Sequence, residues 1–245
     1  MSVIILAAGQ GTRMGSLTAD LPKSLMPFGA SSVLVRLLKQ ILDLYDGEIT
    51  VVVGYMKDQV KSTIYKNFGN RINIVENNQY NKDVNILSLA LALELKLNQE
   101  PFFVFESDCV FDAYAMKKIF SKKLTSYSSW FTIGSFDKEM VGGILKADKD
   151  LNVIDLKIVK KFVRKYQDYN KLIGVLKVGP NEIEAYINFL KKEVKRNTYQ
   201  YYLAPWINNL KLLPCLETKL GANHADAFNT ADAYYKSLKV FNDKG

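Results

Sequence analysis

Two rhythms of apolar and polar positions run along this chain, and the change between them divides it. Val3-Ile4-Ile5-Leu6 is a short β-branched run closed by Ala-Ala-Gly, the pattern of a strand buried on both faces. Residues 31–45 then place Leu34, Leu37, Leu38, Ile41, Leu42 and Tyr45 at helical spacing, with Ser31 or Ser32 available as N-cap. Ile49–Val53, followed by Gly54, predicts a second buried strand, and a polar helix carrying Val60, Ile64 and Phe68 leads to a third at Ile72–Val75. A helix over about 85–97 precedes a fourth strand at Phe102–Phe105. Strands alternating with helices in this way imply βαβ crossovers and a mostly parallel sheet.

Beyond about residue 125 the rhythm changes. Ser129–Ser135, Gly142–Lys146, Val153–Leu156 and Leu172–Val178 read as strands separated by turns or an irregular loop, which predicts an antiparallel insertion. Helices are expected at about 181–194 and 199–211, and Ala231–Val240 closes the chain. No Pro/Gly/Ser-rich linker, internal repeat or low-complexity tract interrupts it. The expected fold class is α/β, one body of 1–245 with a smaller α+β lobe packed on it.

Composition narrows the chemistry. The 245 residues are 48% hydrophobic and 24% charged, enough to bury a large core. Lys plus Arg is 33 against 25 acids, a net charge of +8 that suits an anionic partner without choosing among nucleic acid, headgroups and small phosphates. Cys109 and Cys215 lie in apolar stretches without CxxC spacing, so neither a disulfide framework nor a zinc site is expected, and a reducing cytoplasm fits best. The single histidine, His224, argues against a His-rich metal centre or a hydrolase triad. Met1-Ser2 carries no basic side chain and Val3–Ala8 is too short for a signal-peptide core. Ile86–Leu95 is broken by Ser88 and Glu94, so no membrane span is expected.

The turn after the first strand reads Leu6-Ala7-Ala8-Gly9-Gln10-Gly11-Thr12-Arg13-Met14-Gly15, with Leu21-Pro22-Lys23-Ser24-Leu25 shortly after. Glycines let the backbone turn tightly and present N–H groups to phosphate oxygens. A dinucleotide fold wants G-x-G-x-x-G and an acid ending strand two, whereas here the third glycine is displaced and strand two ends at Gly54. A P-loop wants Lys directly after its last glycine, and Ser16 follows Gly15. What remains is a loop with an arginine and a lysine ten residues apart, suited to clamping a triphosphate.

L-A-A-G-x-G-T-R-M…L-P-K-S-L resembles the signature of the nucleotidyltransferases that join a nucleoside triphosphate to a phosphorylated small molecule. The resemblance implies a Rossmann-like, nucleotide-diphospho-sugar transferase type of fold, with nucleotide bound by 1–125 and acceptor by 126–245. It implies that Leu6, Ala7, Ala8, Gly9, Gly11 and Thr12 wrap the triphosphate while Arg13 and Lys23 stabilise charge at the reacting phosphorus. Glu106-Ser107-Asp108-Cys109-Val110-Phe111 resembles the family's (G/A)-D-x-x-F element, which makes Asp108 the expected Mg²⁺ ligand. Phe228-Asn229-Thr230 resembles the late element that supplies a second ligand, Asn229, with Glu106 as its substitute. Asn77-Asn78-Gln79-Tyr80 and Asn85-Ile86-Leu87-Ser88-Leu89 resemble the base-recognition segment of bacterial cytidylyltransferases for phosphocholine and related headgroups.

That resemblance implies CTP as donor, pyrophosphate as product, and a small phosphorylated or phosphonate acceptor (phosphocholine, aminoethylphosphonate or phosphoglutamine type) used in surface polysaccharide modification. Asn85 and Ser88 are the candidates for reading the cytosine amine, since Asn and Ser oxygens accept such a donor; alternatively, Asn85 is simply the N-cap of its helix. For the acceptor, Lys157 and Lys171 border strands expected to face the cleft, with Tyr202 the weaker candidate. Aromatics at that spacing also serve cores or subunit contacts, and the aromatic surplus leaves room for a homo-oligomer interface. A sugar-1-phosphate nucleotidyltransferase using UTP or dTTP and a non-catalytic nucleotide-binding protein are the competing expectations. Nucleic-acid binding is not expected, because the basic runs lack interleaved aromatics.

Overall fold

A computed structural model describes residues 1–94, 100–121 and 126–241. In chain order the elements are β1 (Ser2–Ala7), the two-residue strands β2 (Pro27–Phe28) and β3 (Ser31–Ser32), α1 (Val33–Leu42), β4 (Ile49–Val53), α2 (Lys57–Phe68), β5 (Asn73–Glu76) and α3 (Ile86–Glu94). Then come β6 (Phe102–Glu106), β7 (Cys109–Phe111), α4 (Ala113–Ile119), β8 (Ser129–Ser135), β9 (Gly142–Ala147), β10 (Val153–Val159) and β11 (Asn170–Val178). The chain ends with α5 (Ile183–Arg196), α6 (Ala204–Ile207), β12 (Leu216–Lys219), β13 (Ala225–Ala227) and α7 (Ala231–Phe241). The end of the helix expected over 85–97 and the division expected at residue 125 lie outside the described residues.

One sheet carries the molecule, in the order β10-β9-β11-β6-β1-β4-β5, with β8 pairing β11 and β12. Strands β6, β1, β4 and β5 are mutually parallel, as the alternation of strand and helix requires. The later strands extend this core in antiparallel fashion through β11 on β6, β8 and β9 on β11, and β10 on β9. The expected insertion is thus a continuation of the same sheet.

Period-two alternation sends side chains of each parallel strand to opposite faces. Ile4 and Leu6 of β1 join Val104 and a cluster under α3 and α5 that includes Leu89, Tyr186 and Trp206. Val3 and Ile5 join Val51, Phe103 and Phe105 in a second cluster under α1, α2 and α4. The sheet is therefore buried on both faces between helical layers, which explains why its strands read as unbroken apolar runs. The stripe of Leu34, Leu37, Leu38 and Ile41 is the buried face of α1, and Ser32 caps that helix, accepting from Val35 N at 3.4 Å. A third cluster joins Met14, Met26, Phe28 and Val110 to Phe228, Tyr234 and Phe241, so the closing helix is docked on the segment that follows the glycine turn.

The helix expected over 199–211 is reduced to one turn, Ala204–Ile207. Pro205 has no N–H and fits only the first turn, and Asn208 already leaves helical geometry at φ −109° and ψ 4°. Strand β7, the helix α4, and strands β12 and β13 have no counterpart in the periodicity reading. Among the described residues no helix is long and apolar enough to cross a membrane.

Candidate active site

The parallel strands β1 and β6 end side by side, and the chain turns at their carboxyl ends form the floor of a cavity of about 370 Å³. Ligands of open α/β sheets bind at this edge. Leu6, Ala7, Ala8, Gly9, Gly11, Thr12, Arg13, Lys23, Asn85, Ser88, Asp108 and Asn229 all line the cavity, so the expected nucleotide, catalytic and metal residues are brought together. The turn after β1 reverses at Gly11, whose φ of 68° lies in the left-handed region that favours glycine, and an added Cβ there would come within 3.1 Å of Lys23 Cβ. Thr18 Oγ1 donates to the Gly11 carbonyl at 3.1 Å, and Tyr55 N donates to the Ala8 carbonyl at 3.0 Å, which fixes both ends of the loop.

Charge converges on one point of this cavity. Lys23 Nζ donates to Asp108 Oδ2 at 2.5 Å and to Asn229 Oδ1 at 3.1 Å, and it lies 5.4 Å from the centre of the Phe228 ring. Arg13 Nη2 donates to the same Asn229 oxygen at 2.7 Å. Asp108 occupies the turn between β6 and β7, while Asn229 precedes α7, whose N-cap is Thr230, accepting from Ala233 N at 3.3 Å. The expectation that the closing helix carries Asn229 into the crevice is met.

The donor set suits a hard divalent cation. Asp108 Oδ2 and Asn229 Oδ1, a carboxylate and a carbonyl oxygen, already converge on a positive nitrogen, so the protein builds a point where two hard oxygens expect a cation. Among the described residues no group of three or more His, Cys, Asp or Glu side chains could hold a metal without other ligands. Such an ion would be held jointly with phosphate oxygens and water, as magnesium commonly is. The residues fit.

Glu106 ends β6 next to this point. Its carboxylate accepts from Asn85 Nδ2 at 3.2 Å and from Tyr202, and it is packed so closely on β11 that a Cβ at Gly174 would come within 2.6 Å of Glu106 Cβ. Burial, reinforced by the nearby Asp108 charge, pushes its pKa up to about 7.

The Asn85 side chain lines the cavity but does not cap its helix. Its Oδ1 accepts from Tyr202 N at 2.9 Å while its Nδ2 serves Glu106, so the amide ties α3 to the later half of the chain. Asp83 supplies the cap instead, accepting from Leu87 N at 3.0 Å and Ser88 N at 2.8 Å, because its position two residues before Asn85 places the carboxylate under the first open N–H groups. The Ser88 hydroxyl is likewise engaged, donating to Asp83 at 2.7 Å and accepting from the buried Asn77 amide at 2.9 Å.

A smaller cavity of about 100 Å³ adjoins the first, and Arg13, Glu106, Tyr201 and Asn229 line both. Lys171 and Tyr202, the expected acceptor candidates, both line it. Tyr202 is buried and stacks on Trp130 at 5.7 Å between ring centres. Burial lowers the Lys171 pKa, partly opposed by Glu106. Lys157 is a correction: it lies on β10 with its ammonium paired to Asp155 and over the Tyr169 ring, and borders neither cavity. Lys157 and Lys171 both oppose Ile144 of β9 and so share a face of the sheet, but β10 is the edge strand, two strands away from β11, and there the Lys157 ammonium turns to Asp155 and Tyr169. Tyr201 and Trp130, which line the cleft, were not singled out from the sequence, where nothing distinguishes them from neighbouring core aromatics.

Arg, Lys and Asp thus gather on a glycine turn at the carboxyl ends of parallel strands, and the chain belongs to the MobA-like NTP transferase domain family, which it matches over residues 3–140. It is similar to the 2-aminoethylphosphonate cytidylyltransferase of Lancefieldella rimae, with 33% identity over 44% of this chain and 43% of that one. It is also similar to the bifunctional protein GlmU of Methanococcus aeolicus, with 25% identity over 84% of this chain and 52% of that one. The chain thus spans about half the length of the curated relatives it matches. In fold it is like the CTP:phosphocholine cytidylyltransferase of Streptococcus pneumoniae, with a TM-score of 0.82, 24% identity, and coverage of 98% of both chains.

Proposed function

We propose that this chain is a CTP-dependent cytidylyltransferase that joins CMP to a small phosphorylated or phosphonate acceptor. The observation that carries this reading is the gathering of Arg13, Lys23, Asp108 and Asn229 over the glycine turn, beside a second cavity of acceptor size. Cytidylyltransferases among the relatives and fold neighbours support CTP as donor. Residues 1–125 hold most of the nucleotide site and 126–245 most of the acceptor site, with Tyr201 and Asn229 reaching the first cavity from the later half and Arg13 and Glu106 reaching the second from the earlier one.

An acceptor phosphate oxygen attacks the α-phosphorus in line; the new P–O bond forms as the α–β P–O bond breaks, and its electron pair leaves on pyrophosphate. The nucleophile is already anionic, so the site needs no general base. Backbone N–H groups of the glycine turn orient the triphosphate. Arg13 offers a planar fork to phosphate oxygens and Lys23 a point charge, and both gain most as negative charge builds in the transition state. Asp108 and Asn229 would hold Mg²⁺, which when bound supplies charge neutralisation and alignment of the phosphates.

Competition binding with the four nucleoside triphosphates tests the donor without requiring the acceptor. CTP is expected to displace a bound fluorescent nucleotide at least tenfold more tightly than UTP or dTTP. Tighter binding of UTP or dTTP favours sugar-1-phosphate transfer instead.

A further inference from the structure

The smaller cavity contains an acid and a base that form no ion pair among the described residues. Glu106 and Lys171 both line it. Neutral donors, Asn85 Nδ2 and Tyr202, serve the Glu106 carboxylate. Lys171 Nζ donates to the Leu172 carbonyl at 2.7 Å. Among the described residues neither charge has a partner at ion-pair distance, although each lies within the other's field. Trp130 lines the same cavity, and its buried Nε1–H has no acceptor among the described residues.

Charges withdrawn from bulk water are ordinarily paired, because an isolated one is costly. Here the pairing falls to the occupant. An ammonium answers Glu106, and a carboxylate, with about four lone-pair sites, answers Lys171. The volume of about 100 Å³ takes a compact head, on the order of seven to ten water-sized groups. Arg13 and Asn229 border both cavities, which puts the phosphate end of the occupant at the junction, facing the nucleotide.

We infer that the acceptor is a phosphorylated amino acid, its ammonium read by Glu106 and its carboxylate by Lys171. The inference rests on the cytidylyl-transfer reading and narrows its acceptor. An acceptor with only an ammonium leaves Lys171 unanswered, and a polyol phosphate leaves both residues so.

Four probes separate these features: O-phosphoserine carries both charges, phosphoethanolamine lacks the carboxylate, 3-phosphoglycerate replaces the ammonium by hydroxyl, and glycerol 3-phosphate lacks both. Phosphoglutamine extends the first class to a longer head. KM is measured with CTP and Mg²⁺, and binding by calorimetry with a non-reacting CTP analogue. A phosphorylated amino acid should be preferred about tenfold or more over every probe lacking one charge. Glu106→Gln should collapse the preference for ammonium over hydroxyl, and Lys171→Met the preference for carboxylate over its absence. Equal or better binding of phosphoethanolamine or glycerol 3-phosphate by the wild type overturns the inference, whatever the variants do. So does a Glu106→Gln variant that raises the magnesium requirement while the acceptor preference stands, for Glu106 is then a metal ligand. Pyrophosphate release with a singly charged acceptor leaves cytidylyl transfer intact and refutes only this narrowing. Failure with every acceptor counts against cytidylyl transfer, and the calorimetric order still decides the head group.

Discussion

Lys23 Nζ lies 2.5 Å from Asp108 Oδ2, so the lysine proposed to be catalytic occupies the point where the acidic ligand of the proposed metal site is aimed. In the proposed mechanism Lys23 serves phosphate and Asp108 serves the cation, which requires this contact to open. Lys23→Ala should therefore lower turnover by about 100-fold or more. At the same time Mn²⁺ should bind the nucleotide-free variant more tightly than wild type, as read by electron paramagnetic resonance. Near-wild-type turnover in the variant would remove Lys23 from the mechanism.

The two oxygens on that lysine are not equivalent. Asp108 provides the only formal charge, so Asp108→Asn should nearly abolish turnover while the thermal midpoint is kept. Asn229→Asp should stay active, since it preserves an oxygen at the same place. Asn229→Leu should raise the magnesium concentration needed for half-maximal rate and also release Arg13, which Asn229 Oδ1 holds at 2.7 Å. Normal turnover of Asn229→Leu at low magnesium would make Glu106 the second ligand to test.

Asn85 joins helix α3 to Tyr202 and Glu106, and leucine at that position leaves the Tyr202 N–H without its acceptor. Stranding a partly buried donor costs about 1–3 kcal/mol. Urea unfolding of Asn85→Leu should show a loss of that order, with the preference for CTP over UTP unchanged. Retained stability with lost base preference would instead make Asn85 a base reader.

Glu106 gives stability a pH signature. Its pKa rises from an ordinary 4.5 to about 7 in the folded chain, so between these values the folded state binds the extra proton. The contribution is complete below about 4.5 and is lost as pH rises through about 7. Wild-type thermal midpoints should fall across that window relative to Glu106→Gln, which carries no such proton. Parallel curves for the two proteins would contradict the assignment.

The parallel half of the fold was legible because every buried strand there is a continuous apolar run and each crossover helix shows its stripe, as in β1, β4 and α1. Strands β7 and β13 were not, because three-residue strands leave no periodicity to read. The site was legible where a motif concentrates chemistry in sequence, as from Leu6 to Lys23. It was least so where partners are remote: Asn85 and Tyr202 are 117 residues apart, and no local pattern announces that an amide will be used across that distance. Lys157 and Lys171 look alike in sequence and both oppose Ile144 of β9, and only the strand order, with β11 beside β6 and β10 at the sheet's edge, takes one to the cleft and leaves the other outside it.

Phosphorus NMR of a reaction containing CTP, Mg²⁺ and a phosphorylated acceptor tests cytidylyl transfer most directly. The expected result is stoichiometric appearance of pyrophosphate and a diphosphate-bridged CMP adduct, absent with Lys23→Ala and much weaker with UTP or dTTP. A bridged product formed preferentially from UTP or dTTP and a sugar 1-phosphate, or hydrolysis of CTP without any adduct, would contradict it.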